Sequence, residues 1–169
     1  FAELLQFCAS KRLAYHVVTD AELEKISHST HHEGVCLLAK AKPPVSPSRA
    51  LQELEPTGQL VLLLDGVGNP HNLGALMRLA AHFGVRYLVG DEATLPKASP
   101  SAVRVAEGGA EHCDLVRVAH LPQFVGQLKK IGYQVFGTSS HEGLPYTSQD
   151  FPAKTALILG GEVFGMGKE

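Results

Sequence analysis

Hydrophobic and polar positions alternate in two distinct ways along this chain. From residue 59 onward, short apolar runs are separated by stretches with helical spacing. Leu60–Leu64 is a continuous apolar run, the pattern of a central parallel strand covered on both faces. Asn72 to Phe83 places Leu73, Leu76, Leu79, Ala80 and Phe83 at helical spacing, and Gly84 ends the pattern. Arg86–Val89 reads as the next strand, Ser101–Ala106 as a helix, Leu115–Val118 as a strand and Leu121–Ile131 as a helix. Tyr133–Gly137 and Ala156–Leu159 read as the last two strands. Strands that alternate with helices predict an α/β fold with a mostly parallel sheet and helices on both faces.

The first 42 residues form a smaller block. Leu4, Leu5, Phe7 and Cys8 make a helical stripe, Tyr15–Val18 a short strand, and Asp20 a candidate N-cap for a helix through Ile26. Gly34–Ala39 reads as a second strand. This α-β-α-β piece is too short to bury a good core alone. Pro43, Pro44, Pro47 and Pro56 then crowd residues 43–58, which predicts a linker with at most one helical turn at Arg49–Leu54. The expected organisation is therefore a small domain (1–42), a linker (43–58) and an α/β domain (59–169).

Composition adds little to that picture. Hydrophobic residues are 44% and charged residues 19%, enough for a packed core. No apolar run approaches the roughly 20 residues of a membrane helix. Cys8, Cys36 and Cys113 have no paired-ligand spacing and read as reduced thiols of a cytoplasmic protein. His28, His31 and His32 lack the company of a metal site and read as a solvated or partner-facing loop. The net charge is −2, with five Lys/Arg against five Asp/Glu in residues 1–42 and ten against twelve in the rest. A nucleic-acid partner would therefore be held by local placement of charge, since the total supplies no basic excess.

Two loops carry candidate chemistry. In a parallel sheet, ligands bind beyond the carboxyl ends of the strands, and Asp65–His71, Thr138–Leu144 and Gly160–Gly167 leave those ends. The first reads Asp-Gly-Val-Gly-Asn-Pro-His-Asn-Leu-Gly. Its glycines permit close backbone approach, Asn72 stands where an N-cap belongs, and Gly74 follows. Arg78 lies nearly two turns further on, with a planar fork suited to phosphate. Read alone, this is a capped helix with a solvated arginine as readily as an anion site. A dinucleotide loop would require G-x-G-x-x-G, but Pro70 and His71 replace its end. The last loop reads Leu-Gly-Gly-Glu-Val-Phe-Gly-Met, with Gly160 and Gly161 exposing backbone and Glu162 able to accept from a hydroxyl or pair with an arginine.

Asn-x-Gly-x-x-x-Arg early and Leu-Gly-Gly-Glu-x-x-Gly-Met late together resemble the SpoU/TrmH family of RNA ribose 2′-O-methyltransferases. The Val105–Glu111 segment and the Thr138-Ser139 turn resemble that family too, although Glu107 stands where its members often carry a small residue. The His31–Val35 segment is similar to the end of the small RNA-binding domain that often precedes the catalytic one. The resemblance implies a trefoil-knotted SPOUT methyltransferase fold, S-adenosyl-L-methionine (AdoMet) as cofactor, rRNA or tRNA as partner, and a homodimer formed through the methyltransferase domain. It implies that Asn72, Arg78 and Glu162 are catalytic. Thr138, Ser139, Gly160, Gly161, Glu162 and Gly165 would contact the cofactor. The family's third motif, a Ser-Leu-Asn segment with a C-terminal helix, does not occur before Glu169, and the chain opens on Phe1. The expectation is a sequence incomplete at both ends, with the knot unfinished. The alternative is an RNA-binding member of the fold that has lost its cofactor.

Overall fold

The computed structural model describes residues 1–40, 42–139 and 143–161. The chain divides into two units, residues 1–41 and 42–169. In the first, α1 (Ala2–Ser10) and α2 (Asp20–Ser27) are the described helices. Thr19, one residue before the expected cap, begins α2. Its hydroxyl receives the Glu22 N–H while the Glu22 carboxylate receives the Thr19 N–H, a reciprocal capping box. The expected strands at 15–18 and 34–39 are absent among the described residues. Neither segment meets a partner strand in this unit, and β-propensity without a partner's ladder does not make a strand.

The second unit opens with a helix where a linker was expected. α3 spans Pro47–Thr57. Ser46 caps it, accepting from the Arg49 N–H at 3.3 Å, and Gly58 closes it in the left-handed conformation. Pro47 falls in the first turn, where a missing N–H costs nothing, and Pro56 in the last. Proline density therefore marked the edges of a helix rather than a break. Ala50 and Leu54 on its inner face are fully buried.

Among the described residues five strands follow: β1 (Val61–Asp65), β2 (Tyr87–Asp91), β3 (Asp114–Val118), β4 (Gln134–Gly137) and β5 (Thr155–Gly160). They form one parallel sheet in the order β3-β2-β1-β5-β4. The described helices between them are α4 (Pro70–His82), α5 (Pro100–Ala106), α6 (Gly109–His112) and α7 (Leu121–Lys130), with a 3-10 turn at Tyr146–Ser148. Strand alternation divides the core in two. Val61 and Leu63 face α3 and α7 with Leu54, Phe124, Leu128 and Tyr133; Leu62 and Leu64 face α4 and α5 with Leu73, Met77, Ala80 and Ala102. Both faces of the sheet are covered, as a parallel sheet requires.

A chain of charges pins α3 to the sheet. Asp114, almost fully buried, takes Lys42 at 2.7 Å and Arg86 at 2.8 Å. Arg86 also reaches Glu53 at 2.7 Å, and Arg49 joins Glu53 at 2.8 Å. Hydrogen bonds from Tyr87 and Arg49 hold the Glu53 carboxyl down at about 2. Burial together with the Glu53 contact pushes the Tyr87 phenol up to about 12. Burial alone would raise Asp114, yet its bonds to Lys42 and Arg86 keep it below the usual carboxylate range.

Candidate functional site

The strand order sets where a ligand can sit. The chain enters the sheet at its centre with β1, moves outward through β2 and β3, and returns from the opposite edge through β4 to β5. The ends of β1 and β5 therefore lie side by side at the point where the strand order reverses, and a crevice opens there. A cavity of about 490 Å³ lies there, lined by Gly66, Val67, Gly68, Asn69, Asn72 and Gly160–Gly161 together with Ala75, Leu76 and Leu159. Its size and largely apolar lining match small-molecule sites.

The local reasons are visible in sequence. Asp65 pairs in register with Gly160, so the two loops leave the sheet at the same level. Gly66 turns with φ 73°, a value that favours glycine. Asn69, in extended conformation before Pro70, accepts the His71 N–H at 2.9 Å and caps α4. Asn72 is therefore not the cap. It is the third residue of the helix and belongs to the cavity wall.

The structure also places Gly74, the apolar face of α4 and Arg78. Gly74 is not in the cavity wall. It is buried where α4 crosses α5, and a Cβ there would stand 2.5 Å from the Ala102 carbonyl and 2.8 Å from Val105. Leu73, Leu76 and Ala80 face the core as expected, but Leu79 and Phe83, expected there too, are exposed, and Met77 completes the buried face. The helix begins at Pro70 instead of Asn72, and its buried face follows Leu73, Leu76, Met77 and Ala80. Arg78 is not part of the β1–β5 cavity wall. It borders a second cavity of about 340 Å³ with Leu79, His82, Glu107, Gly109 and His112. There its Nη1 donates to Glu107 at 3.0 Å.

Among the expected cofactor contacts, Gly160 and Gly161 line the first cavity. Thr138 sits at the end of β4, where its N–H and its hydroxyl both donate to the Ile158 carbonyl, at 3.1 and 3.0 Å. It locks β4 to β5 and is not in the cavity wall, nor is the exposed Ser139. Glu162 and Gly165 lie outside the described residues. The Arg78–Glu107 pair went unread in sequence: its members are separated by 29 positions, and no local pattern joins them.

A five-stranded parallel sheet with Gly66 and Gly160–Gly161 at adjacent strand ends defines an α/β protein, and solved SpoU and rRNA methyltransferases share its fold. Residues 59–169 match the SpoU rRNA methylase family, and residues 1–45 match the substrate-binding domain of RNA 2′-O ribose methyltransferases. The chain belongs to the SpoU/TrmH family of RNA methyltransferases and carries that N-terminal substrate-binding region. It is 40% identical, over 98% of its own length, to the uncharacterized tRNA/rRNA methyltransferase YfiF of Escherichia coli O157:H7, of which it covers 48%. It is 33% identical, over 85% of its length, to the 23S rRNA (guanosine-2′-O-)-methyltransferase RlmB of Acinetobacter baylyi, of which it covers 59%. The chain thus spans about half the length of the curated relatives it matches. The AdoMet-bound rRNA methyltransferase of Sinorhizobium meliloti shares the fold, with a TM-score of 0.70 at 22% identity over 89% of this chain and 56% of that one. Among the described residues no helix is long and apolar enough to cross a membrane.

Proposed function

We propose that this chain supplies the catalytic core for AdoMet-dependent methyl transfer to a ribose 2′-OH of rRNA or tRNA. The observation that carries the reading is the cavity at the β1–β5 switch point, where Asn72 from the early motif and Gly160–Gly161 from the late motif share one wall. The cavity suits a nucleoside cofactor. Its glycines bring bare backbone to the surface, Val67, Leu76 and Leu159 offer apolar faces, and Asn69 and Asn72 offer polar groups. Gly160 and Gly161 would hold AdoMet. Thr138 and Ser139 would shape the neighbouring strand end, and Glu162 and Gly165 would complete the pocket, as the family resemblance implies. When bound, AdoMet supplies a methyl group on a positively charged sulfur, already electrophilic without a metal.

The chain's own residues have two tasks, alignment and management of the 2′-OH proton. Arg78 binds a phosphate beside the target ribose and favours the forming oxyanion. Asn72 orients the nucleotide at the cavity mouth. An unpaired nucleotide is the fitting target, because its base can be splayed out and read. The working form is a homodimer through the methyltransferase domain, and exposed Leu79 and Phe83 support such a contact.

The full chain, incubated with methyl-labelled AdoMet and transcribed rRNA or tRNA, tests this. Label incorporation and resistance of one phosphodiester to alkaline cleavage are expected, since that cleavage needs a free 2′-OH. Arg78→Ala is expected to lower the rate at least about 100-fold; full transfer by that variant would sink the assignment. The other reading, an RNA-binding member of the fold that has lost its cofactor, requires that AdoMet not bind. Calorimetric titration with AdoMet separates the two.

A further inference from the structure

The contact between Arg78 and Glu107 is built by the backbone on both sides. Glu107 ends α5 with φ 45°, and Gly108 follows with φ 88°, two successive left-handed residues. This turn seats Gly109 directly on α4. A Cβ on Gly109 would stand 2.7 Å from the Met77 carbonyl and 2.8 Å from the Arg78 Cα. The backbone thus brings the Glu107 carboxylate to the guanidinium. Glutamate is an unfavoured residue at a left-handed position, so local backbone preference does not account for it there. The pair borders the second cavity, with His82 and His112 on the same wall.

Both side chains remain more than half exposed, at 57% and 61%. An ion pair so exposed is weak and exchangeable. A carboxylate and a phosphodiester present the guanidinium fork with the same pair of charged oxygens. We propose that Glu107 is an internal counter-ion for Arg78: it stands in for an RNA phosphate, holds the guanidinium beside the α4–α5 contact, and is displaced when RNA arrives. The inference rests on the RNA reading above. It makes Glu107 a positioning residue that sets how strongly, and with what salt dependence, Arg78 engages a phosphate. Binding of Arg78 releases a cation from the RNA phosphate; in wild type the uncovered Glu107 carboxylate attracts a cation in its turn and offsets that release, and without the glutamate nothing offsets it.

The test measures anisotropy of a labelled single-stranded RNA oligonucleotide with the full chain across a series of KCl concentrations. E107Q is expected to bind about 2- to 5-fold tighter at low salt and to steepen the log–log salt slope by about 0.7. E107D should restore the original slope, and E107Q should have no effect in an R78A background. Should E107Q fold poorly, E107N replaces it, since asparagine tolerates the left-handed region. A second readout needs no RNA: phenylglyoxal should modify Arg78 faster in E107Q, as followed by peptide mass spectrometry. If wild type binds RNA and E107Q binds equally or more weakly, the proposal is overturned while the RNA reading stands. A gain that persists in R78A, or an unchanged phenylglyoxal rate, overturns it as well. If neither wild type nor any variant binds RNA, the RNA reading falls and takes this proposal with it.

Discussion

Gly161 lies flush against the carbonyl of Gly66, so closely that a Cβ on Gly161 would stand 2.7 Å from that oxygen. The two residues are far apart in sequence and belong to different motifs. Their contact closes the base of the switch-point cavity, because Asp65 and Gly160 just before them are partners in the sheet. Gly161→Ala must therefore push the two loops apart. The expected result is a loss of about 1–3 kcal/mol in chemical denaturation, together with AdoMet affinity reduced on the order of tenfold. Unchanged affinity at normal stability would separate Gly161 from the cofactor site.

Gly74 and Gly126 make a matched pair of helical glycines. At Gly74 a Cβ meets the Ala102 carbonyl and Val105, and at Gly126 it meets nothing within 4 Å. Alanine gains about 1 kcal/mol of helix propensity at either position. Gly126→Ala should therefore raise stability by about 0.5–1 kcal/mol. Gly74→Ala should lower it by about 1–3 kcal/mol as α4 and α5 are forced apart. Urea unfolding of the two variants decides, and equal effects would contradict the close crossing.

Leu54 tests whether residues 47–57 belong to the fold. It is fully buried in the α3 face of the core, and its carbonyl accepts from the Tyr133 hydroxyl at 3.2 Å. Leu54→Ala should cost about 2–5 kcal/mol. A linker residue would cost almost nothing, so the denaturation midpoint distinguishes the two cases directly.

The Glu53 carboxyl predicts a particular response to acid. Its folded value, about 2, lies below its ordinary 4.5. A depressed carboxylate contributes stability that is fully present above the ordinary value and is lost as pH falls toward the folded one. Wild type should thus lose stability as pH drops from about 4.5 toward 2. Asp114 titrates in the same direction and leaves a residual slope. Glu53→Gln should lose its own share of that acid response and be the less stable protein near neutral pH. Urea midpoints measured against pH, with parallel curves for the two proteins, would contradict the ion-pair chain.

Much of this molecule is decided locally. The strands β1 to β5 were legible to within two residues at each end; β1, β2 and β5 are short apolar runs bounded by turn residues, as buried parallel strands are. The two glycine-rich motifs were legible for a similar reason: the chemistry they carry demands particular residue types at fixed short spacing. Prolines 47 and 56 misled, since proline suits the ends of a helix as well as a linker, and only the burial of Ala50 and Leu54 separates the two. The first block misled in the opposite way, since Val-rich segments without a partner strand stay irregular. Tertiary structure alone settled the strand order, and with it the crevice that joins Asn72 to Gly160 and Gly161. It also paired Arg78 with Glu107 and left Leu79 and Phe83 outside. Helical period and residue type describe what a segment can bury. Which surface it meets depends on how the sheet is wound, and that is a property of the whole chain.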